Sequence, residues 1–153
     1  MRARSRTYFF SPDGRTSRRE PGPREVGRRV RLWHAEAMAN RQRLLGVVGR
    51  KGGPGDMVVG VGDRRGIYLL CNYGKDGALD RFSVGPGGLR GRRKRIEFDY
   101  GGDPHEVTVQ CLVPVDVAIN AIELFLKKDA LPLTLEWVSD TGITRVFEKR
   151  PRY

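Results

Sequence analysis

The stretch LVPVDVAINAIELFLKKDALPLTLEW, residues 112–137, decides how the chain is read. Val115, Ala118, Ile119, Ile122, Phe125 and Leu126 fall at offsets 0, 3, 4, 7, 10 and 11, which is one apolar stripe along an α-helix. Pro114 suits the first helical turn, where its missing N–H does no harm. Asp116 near the start and Lys127 and Lys128 at the end match the helix dipole. Leu133, Leu135 and Trp137 then alternate with Thr134 and Glu136, the period of a half-buried strand. Ser139–Gly142 reads as a turn, and Ile143–Glu148 as a strand that pairs back. Ile119, Ile122, Phe125 and Trp137 are expected in the core.

Upstream, the texture is that of strands. His105–Leu112 reads as one strand with Val107, Val109 and Cys111 on one face. The turn Gly101-Gly102-Asp103-Pro104 joins it to Ile96–Tyr100, where Ile96, Phe98 and Tyr100 share a face. Met57–Val61, Ile67–Tyr73 and Ala78–Val84 are separated by glycine-bearing turns and read as a meander. From Glu25 to about Val48 the apolar positions Val26, Val30, Trp33 and Ala37 step by 4, 3 and 4, which predicts a helix. Leu44, Leu45 and Val48 prolong that pattern until Gly52-Gly53-Pro54-Gly55 ends it. The expected fold class is therefore α+β: a mostly antiparallel sheet with one or two helices packed on one face. Residues 25–153 are expected to form this single domain. Residues 1–24 are expected to be a basic, loosely ordered segment, apart from a short strand around Tyr8-Phe9-Phe10.

A chain of 153 residues is long enough for one proper core. The net charge of +11 is unevenly placed. Residues 1–51 hold 14 Lys/Arg against 4 Asp/Glu, whereas residues 52–153 hold 15 against 14. The basic character thus belongs to the N-terminal third, where an Arg-rich solvated segment is the simpler reading and nucleic acid, a membrane surface or an acidic partner are the sharper ones. Cys71 and Cys111 each sit in an apolar run without close-paired spacing, as expected of reduced core residues. No run of 18 apolar residues occurs and Met1–Phe10 lacks an apolar signal core, so a cytoplasmic chain with no membrane partner is expected.

Catalytic constellations are thin. His34 and His105 with the two cysteines show no metal-ligand spacing. Gly60-Val61-Gly62 with Gly66 misses the dinucleotide fingerprint by one residue and is followed by a strand rather than a helix. Gly49-Arg50-Lys51-Gly52-Gly53 lacks the Lys-Ser/Thr ending of a phosphate loop. No catalytic, cofactor-binding or metal-ligating residue is assigned, no cofactor is expected, and the chain reads as a non-enzyme. Asp99, Asp103 and Glu106 gather around one turn, for which a solvated hairpin tip is the plain explanation. The loop residues Arg90, Arg92, Arg93, Lys94 and Arg95 are the sharpest electrostatic feature. They suit either phosphate binding or simple solvation, and no aromatics are interleaved to stack bases.

The run Leu112-Val113-Pro114-Val115-Asp116-Val117-Ala118, the pair Phe125-Leu126 and the segment Leu131–Trp137 together resemble the C-terminal signature of the immunity protein 1 family of bacterial polymorphic toxin systems. Gly60-Val61-Gly62-Asp63 followed by Gly66-Ile67-Tyr68-Leu69 is similar to the family's central strand pair. The resemblance covers roughly residues 56–140. Lys127-Lys128-Asp129-Ala130 stands where the family usually has a glycine, and the Arg-rich first 50 residues and the basic Arg90–Arg95 loop match nothing associated with the family. The resemblance implies a cytoplasmic protein that binds a cognate toxin, often a nucleic-acid deaminase, and occludes its pocket or substrate groove. A groove that grips nucleic acid is basic, and carboxylates would meet it. Asp99, Asp103, Glu106, Asp116 and Glu123 are the expected interface residues on that reading. The alternative is a basic nucleic-acid-binding module acting through Arg90, Arg92, Arg93, Lys94 and Arg95.

Overall fold

The computed structural model describes residues 7–12, 18–53, 55–73, 80–89, 94–128 and 130–139. Among these the chain forms an α+β fold with a mostly antiparallel sheet of ten strands and two α-helices. The strands are β1 (Tyr8–Ser11), β2 (Arg18–Glu20), β3 (Leu44–Arg50), β4 (Gly55–Asp63), β5 (Gly66–Tyr73), β6 (Arg81–Val84), β7 (Arg95–Tyr100), β8 (Asp103–Thr108), β9 (Leu112–Val113) and β10 (Glu136–Ser139). The helices are α1 (Pro23–Ala39) and α2 (Val115–Lys128). Seven strands run in the order β10-β6-β5-β4-β3-β1-β2. β7 and β8 form a hairpin that joins β3 through one parallel bridge, Leu44 with Asp99.

The central strands are apolar on both faces because the sheet is covered on both. Met57, Val59 and Val61 of β4 and Ile67, Leu69 and Cys71 of β5 face the helices. They meet Val26 and Val30 of α1 and Ile122, Phe125 and Leu126 of α2. The alternate positions face the other way. There Leu45 and Tyr68 pack with Ile96, Phe98 and Val107 of the β7–β8 hairpin. Gly60 permits this close approach: an added Cβ would stand 3.0 Å from the Phe98 ring and 3.1 Å from Tyr68 Cβ. Phe98 is fully buried and stacks on Tyr68 with centroids 6.0 Å apart, a burial worth about 2 kcal/mol.

Several elements depart from the sequence-based expectation. The helix expected to reach Val48 stops at Ala39, and Leu44, Leu45 and Val48 belong to strand β3. The stop is a Schellman motif: the Arg41 N–H donates to the Met38 carbonyl and the Gln42 N–H to the Ala37 carbonyl. Arg41 takes the left-handed position with φ 55°, where glycine is usual and therefore easier to recognise. The single strand expected over His105–Leu112 is broken. β8 ends at Thr108, a 3-10 turn occupies Val109–Cys111, and β9 follows. Ser83 holds that turn, with its hydroxyl donating to the Cys111 carbonyl at 2.7 Å and accepting the Leu69 N–H at 3.0 Å. Asp103 and Pro104 are in β8 rather than in the turn, paired with Tyr100 and Asp99.

The last strand also begins later than its alternation predicts. Leu133 is 92% exposed, and β10 starts at Glu136, pairing antiparallel with β6. Trp137 packs at the margin of the helix-side core and donates its Nε1–H to the Pro132 carbonyl. Ile119, Ile122 and Phe125 are buried as expected. The return strand expected at Ile143–Glu148 lies outside the described residues.

Candidate functional site

The β7–β8 hairpin covers only part of the sheet's outer face. Beside it lies an open cavity of about 550 Å³. Its floor comes from strict alternation in β3–β6: Val47, Val58, Leu70 and Phe82 are the outward positions between the helix-facing ones. Tyr68 and Tyr100 add aromatic wall, with Tyr68 and Phe82 centroids 6.3 Å apart. The rim is acidic. Asp56, Asp80 and Glu106 line it together with Asn72 and His105. Asp56 accepts the Asn72 amide at 3.0 Å across the β4–β5 ladder, and Glu106 accepts Arg95 at 3.0 Å along the hairpin. The His105 ring meets Tyr100 edge-on at 5.9 Å. An apolar floor of this size inside a carboxylate rim suits a protein surface carrying an apolar centre and basic flanks.

The five acidic residues expected at an interface do not converge. Glu106 lines the cavity. Asp99 and Asp103 sit nearby on the same hairpin, where the Asp99 carboxylate accepts the Gly102 N–H at 3.0 Å and closes the turn. Asp116 and Glu123 are on α2, in the helix layer across the sheet. Asp116 pairs with Arg31 of α1 at 2.8 Å, and Glu123 packs against Gly27 of α1. Of the basic loop, Arg90, Arg92 and Arg93 lie outside the described residues. Lys94 is exposed, and Arg95 is engaged with Glu106.

Asp56, Asn72, Asp80 and His105 were missed as site residues. Each carries an ordinary polar side chain, and only the strand register puts them on one rim. The alternation of Val58 and Leu70 with buried neighbours could have pointed to the face, but only once β3–β6 were known to be adjacent.

Both cysteines are buried. Cys71 is buried, and burial pushes its thiol up to about 12, with Asp56 and Asp80 adding to the shift. Such a thiol carries almost no thiolate near neutrality. Cys111 is also a buried thiol. Among the described residues no group of three His, Cys, Asp or Glu is placed to hold a metal ion. No helix among them is long and apolar enough to cross a membrane.

The family model described as Immunity protein Imm1 matches residues 21–139. That span runs from the start of α1 to the end of β10, and so includes both helices and the outer-face cavity. No curated protein matches the chain, and no solved structure does. With most of its length matched, the chain belongs to the Imm1 immunity protein family.

Proposed function

We propose that this chain is the cytoplasmic inhibitor of one cognate toxin, a nucleic-acid deaminase, and that it binds the toxin through the outer face of its sheet. The observation that carries this reading is the open cavity beside the β7–β8 hairpin, with its apolar floor and its rim of Asp56, Asp80 and Glu106. Family membership supports the inhibitory role and a toxin partner. A toxin that grips nucleic acid presents a basic, partly apolar groove, which is complementary to such a rim.

Inhibition is steric on this reading. The chain performs no catalysis. It occupies the toxin's pocket or substrate groove and keeps nucleic acid out. Asp99 and Asp103 extend the acidic surface along the hairpin. Asp116 and Glu123 face away from it and contribute only if the toxin wraps round to the helix layer.

Co-expression tests this directly. Growth under expression of the cognate toxin domain is expected to be rescued by the native chain and to fail with Asp56→Lys/Glu106→Lys. Rescue that is absent with the native chain, together with no complex between the purified proteins, would contradict the reading.

A further inference from the structure

At the end of the sheet where α1 passes into β3 there is a second cavity, of about 540 Å³, which the toxin-binding reading does not use. Four arginines line it: Arg41 and Arg43 from the α1–β3 connection, and Arg64 and Arg65 from the β4–β5 turn. The carboxylates in the lining are Asp63 and Glu97, so four positive groups face two negative ones.

Asp63 is not available to a ligand. Its side chain is 3% exposed and it accepts Arg43 Nε at 3.0 Å, Arg65 Nη1 at 3.2 Å and the Arg65 backbone N–H at 2.9 Å. A register shift between Gly60 and Asp63 turns that carboxylate inward. Gly62 makes the shift feasible, with φ 99° and no Cβ to collide with the Gln42 carbonyl. The buried carboxylate therefore fixes two guanidiniums from separate turns, one of them 20 residues away from it in sequence. Each guanidinium has five N–H donors, and both side chains are 43% exposed, so donors remain directed outward.

Arg41 and Arg64 complete the ring, and among the described residues neither is in an ion pair. Arg41 is held at φ 55°, a position that sterics reserve for glycine. The helix would close as well or better without an arginine there, so the residue is not explained by the fold it ends. Planar guanidinium forks that are already positioned match the oxygens of a phosphate group and lose little freedom on binding it.

We propose that this cavity binds a phosphate-bearing ligand, with Arg41 and Arg64 as direct contacts and Asp63 as the positioning residue for Arg43 and Arg65. A dianionic phosphate balances the excess of two positive charges. Free phosphate compounds and the backbone of a nucleic acid offer this same group, and the basic N-terminal third raises the local concentration of either.

Titration of the full chain with inorganic pyrophosphate reads the site. Arg41→Gly is the informative variant, since glycine suits the left-handed turn and keeps both Schellman bonds. Arg64→Gln removes the second contact on an exposed turn. The double variant is expected to melt no lower than the native chain and to bind pyrophosphate at least about tenfold more weakly.

A short single-stranded oligonucleotide separates the two sources. If nucleic acid is the ligand, the salt slope of its binding falls by about 1.4 in the double variant. If that slope is unchanged while pyrophosphate binding is lost, the ligand is a free phosphate compound. Unchanged pyrophosphate affinity in the folded double variant, or no saturable binding by the native chain, would overturn the proposal.

Discussion

The backbone N–H of Gly62 donates to Nδ1 of His34 across 3.0 Å, joining the bulge at the end of β4 to the middle of α1. The bond requires a neutral imidazole with its proton on Nε2. Burial lowers the His34 pKa from its ordinary value. Asp63 opposes that shift, and Arg31 adds to it to a smaller degree than burial. His34 in the unfolded chain takes up a proton near pH 6.5, while the folded chain resists it. Stability is therefore fully present above that pH and falls as the pH drops below it. The slope is at most about 1.4 kcal/mol per pH unit. Urea unfolding at about pH 7.5 and about pH 5.5 measures this. His34→Asn keeps an acceptor without a titrating group and is expected to flatten the difference.

Gly60→Val is expected to lower stability by about 1–3 kcal/mol. The new Cβ alone meets Phe98 at 3.0 Å and Leu45 and Tyr68 at 3.1 Å, all buried side chains of the outer-face cluster. Chemical denaturation gives the magnitude. Near-ultraviolet dichroism should report the displaced Tyr68–Phe98 stack.

Asp63→Asn is expected to cost about 2 kcal/mol, less than for a fully buried pair because water screens both half-exposed arginines. The substitution removes the charge that holds Arg43 and Arg65 together. Thermal unfolding of the variant beside the native chain checks it.

Cys71, with its thiol pushed up to about 12, should resist alkylation at about pH 8 in the folded chain and react fully on unfolding. Mass spectrometry after a timed pulse of iodoacetamide reads both states. Rapid labelling of the native protein would reopen a nucleophilic role for that residue.

Much of the fold was legible because some elements bury only one side. α2 has a single apolar stripe, and its predicted extent and buried residues agree with Val115–Lys128. The meander of β4, β5 and β6 was readable for a different reason: β4 and β5 are covered on both faces, but their short apolar runs are set off by glycine turns. β3 was not, because it too is covered on both faces and no glycine turn sets it off from α1. Leu44, Leu45 and Val48 then lose the strand's period of two and happen to continue the helical spacing of α1. The end of α1 was hidden by an arginine in a glycine position.

The candidate site was less legible still. Glu106 alone among the five expected carboxylates lines the cavity, while Asp56 and Asp80 join it only through pairing between strands. The buried Asp63 and its arginines were likewise invisible, since the register shift that turns Asp63 inward depends on Gly62 meeting the Gln42 carbonyl.

The most direct measurement is the affinity of the native chain and two charge-reversed variants for the cognate toxin domain. Binding through the outer face predicts that Asp56→Lys/Glu106→Lys weakens the complex by at least about a hundredfold with its melting temperature retained, while Asp116→Lys on the helix layer changes affinity by less than about threefold. Tight binding by the first variant and loss of binding by the second would place the interface on the helices and contradict the account.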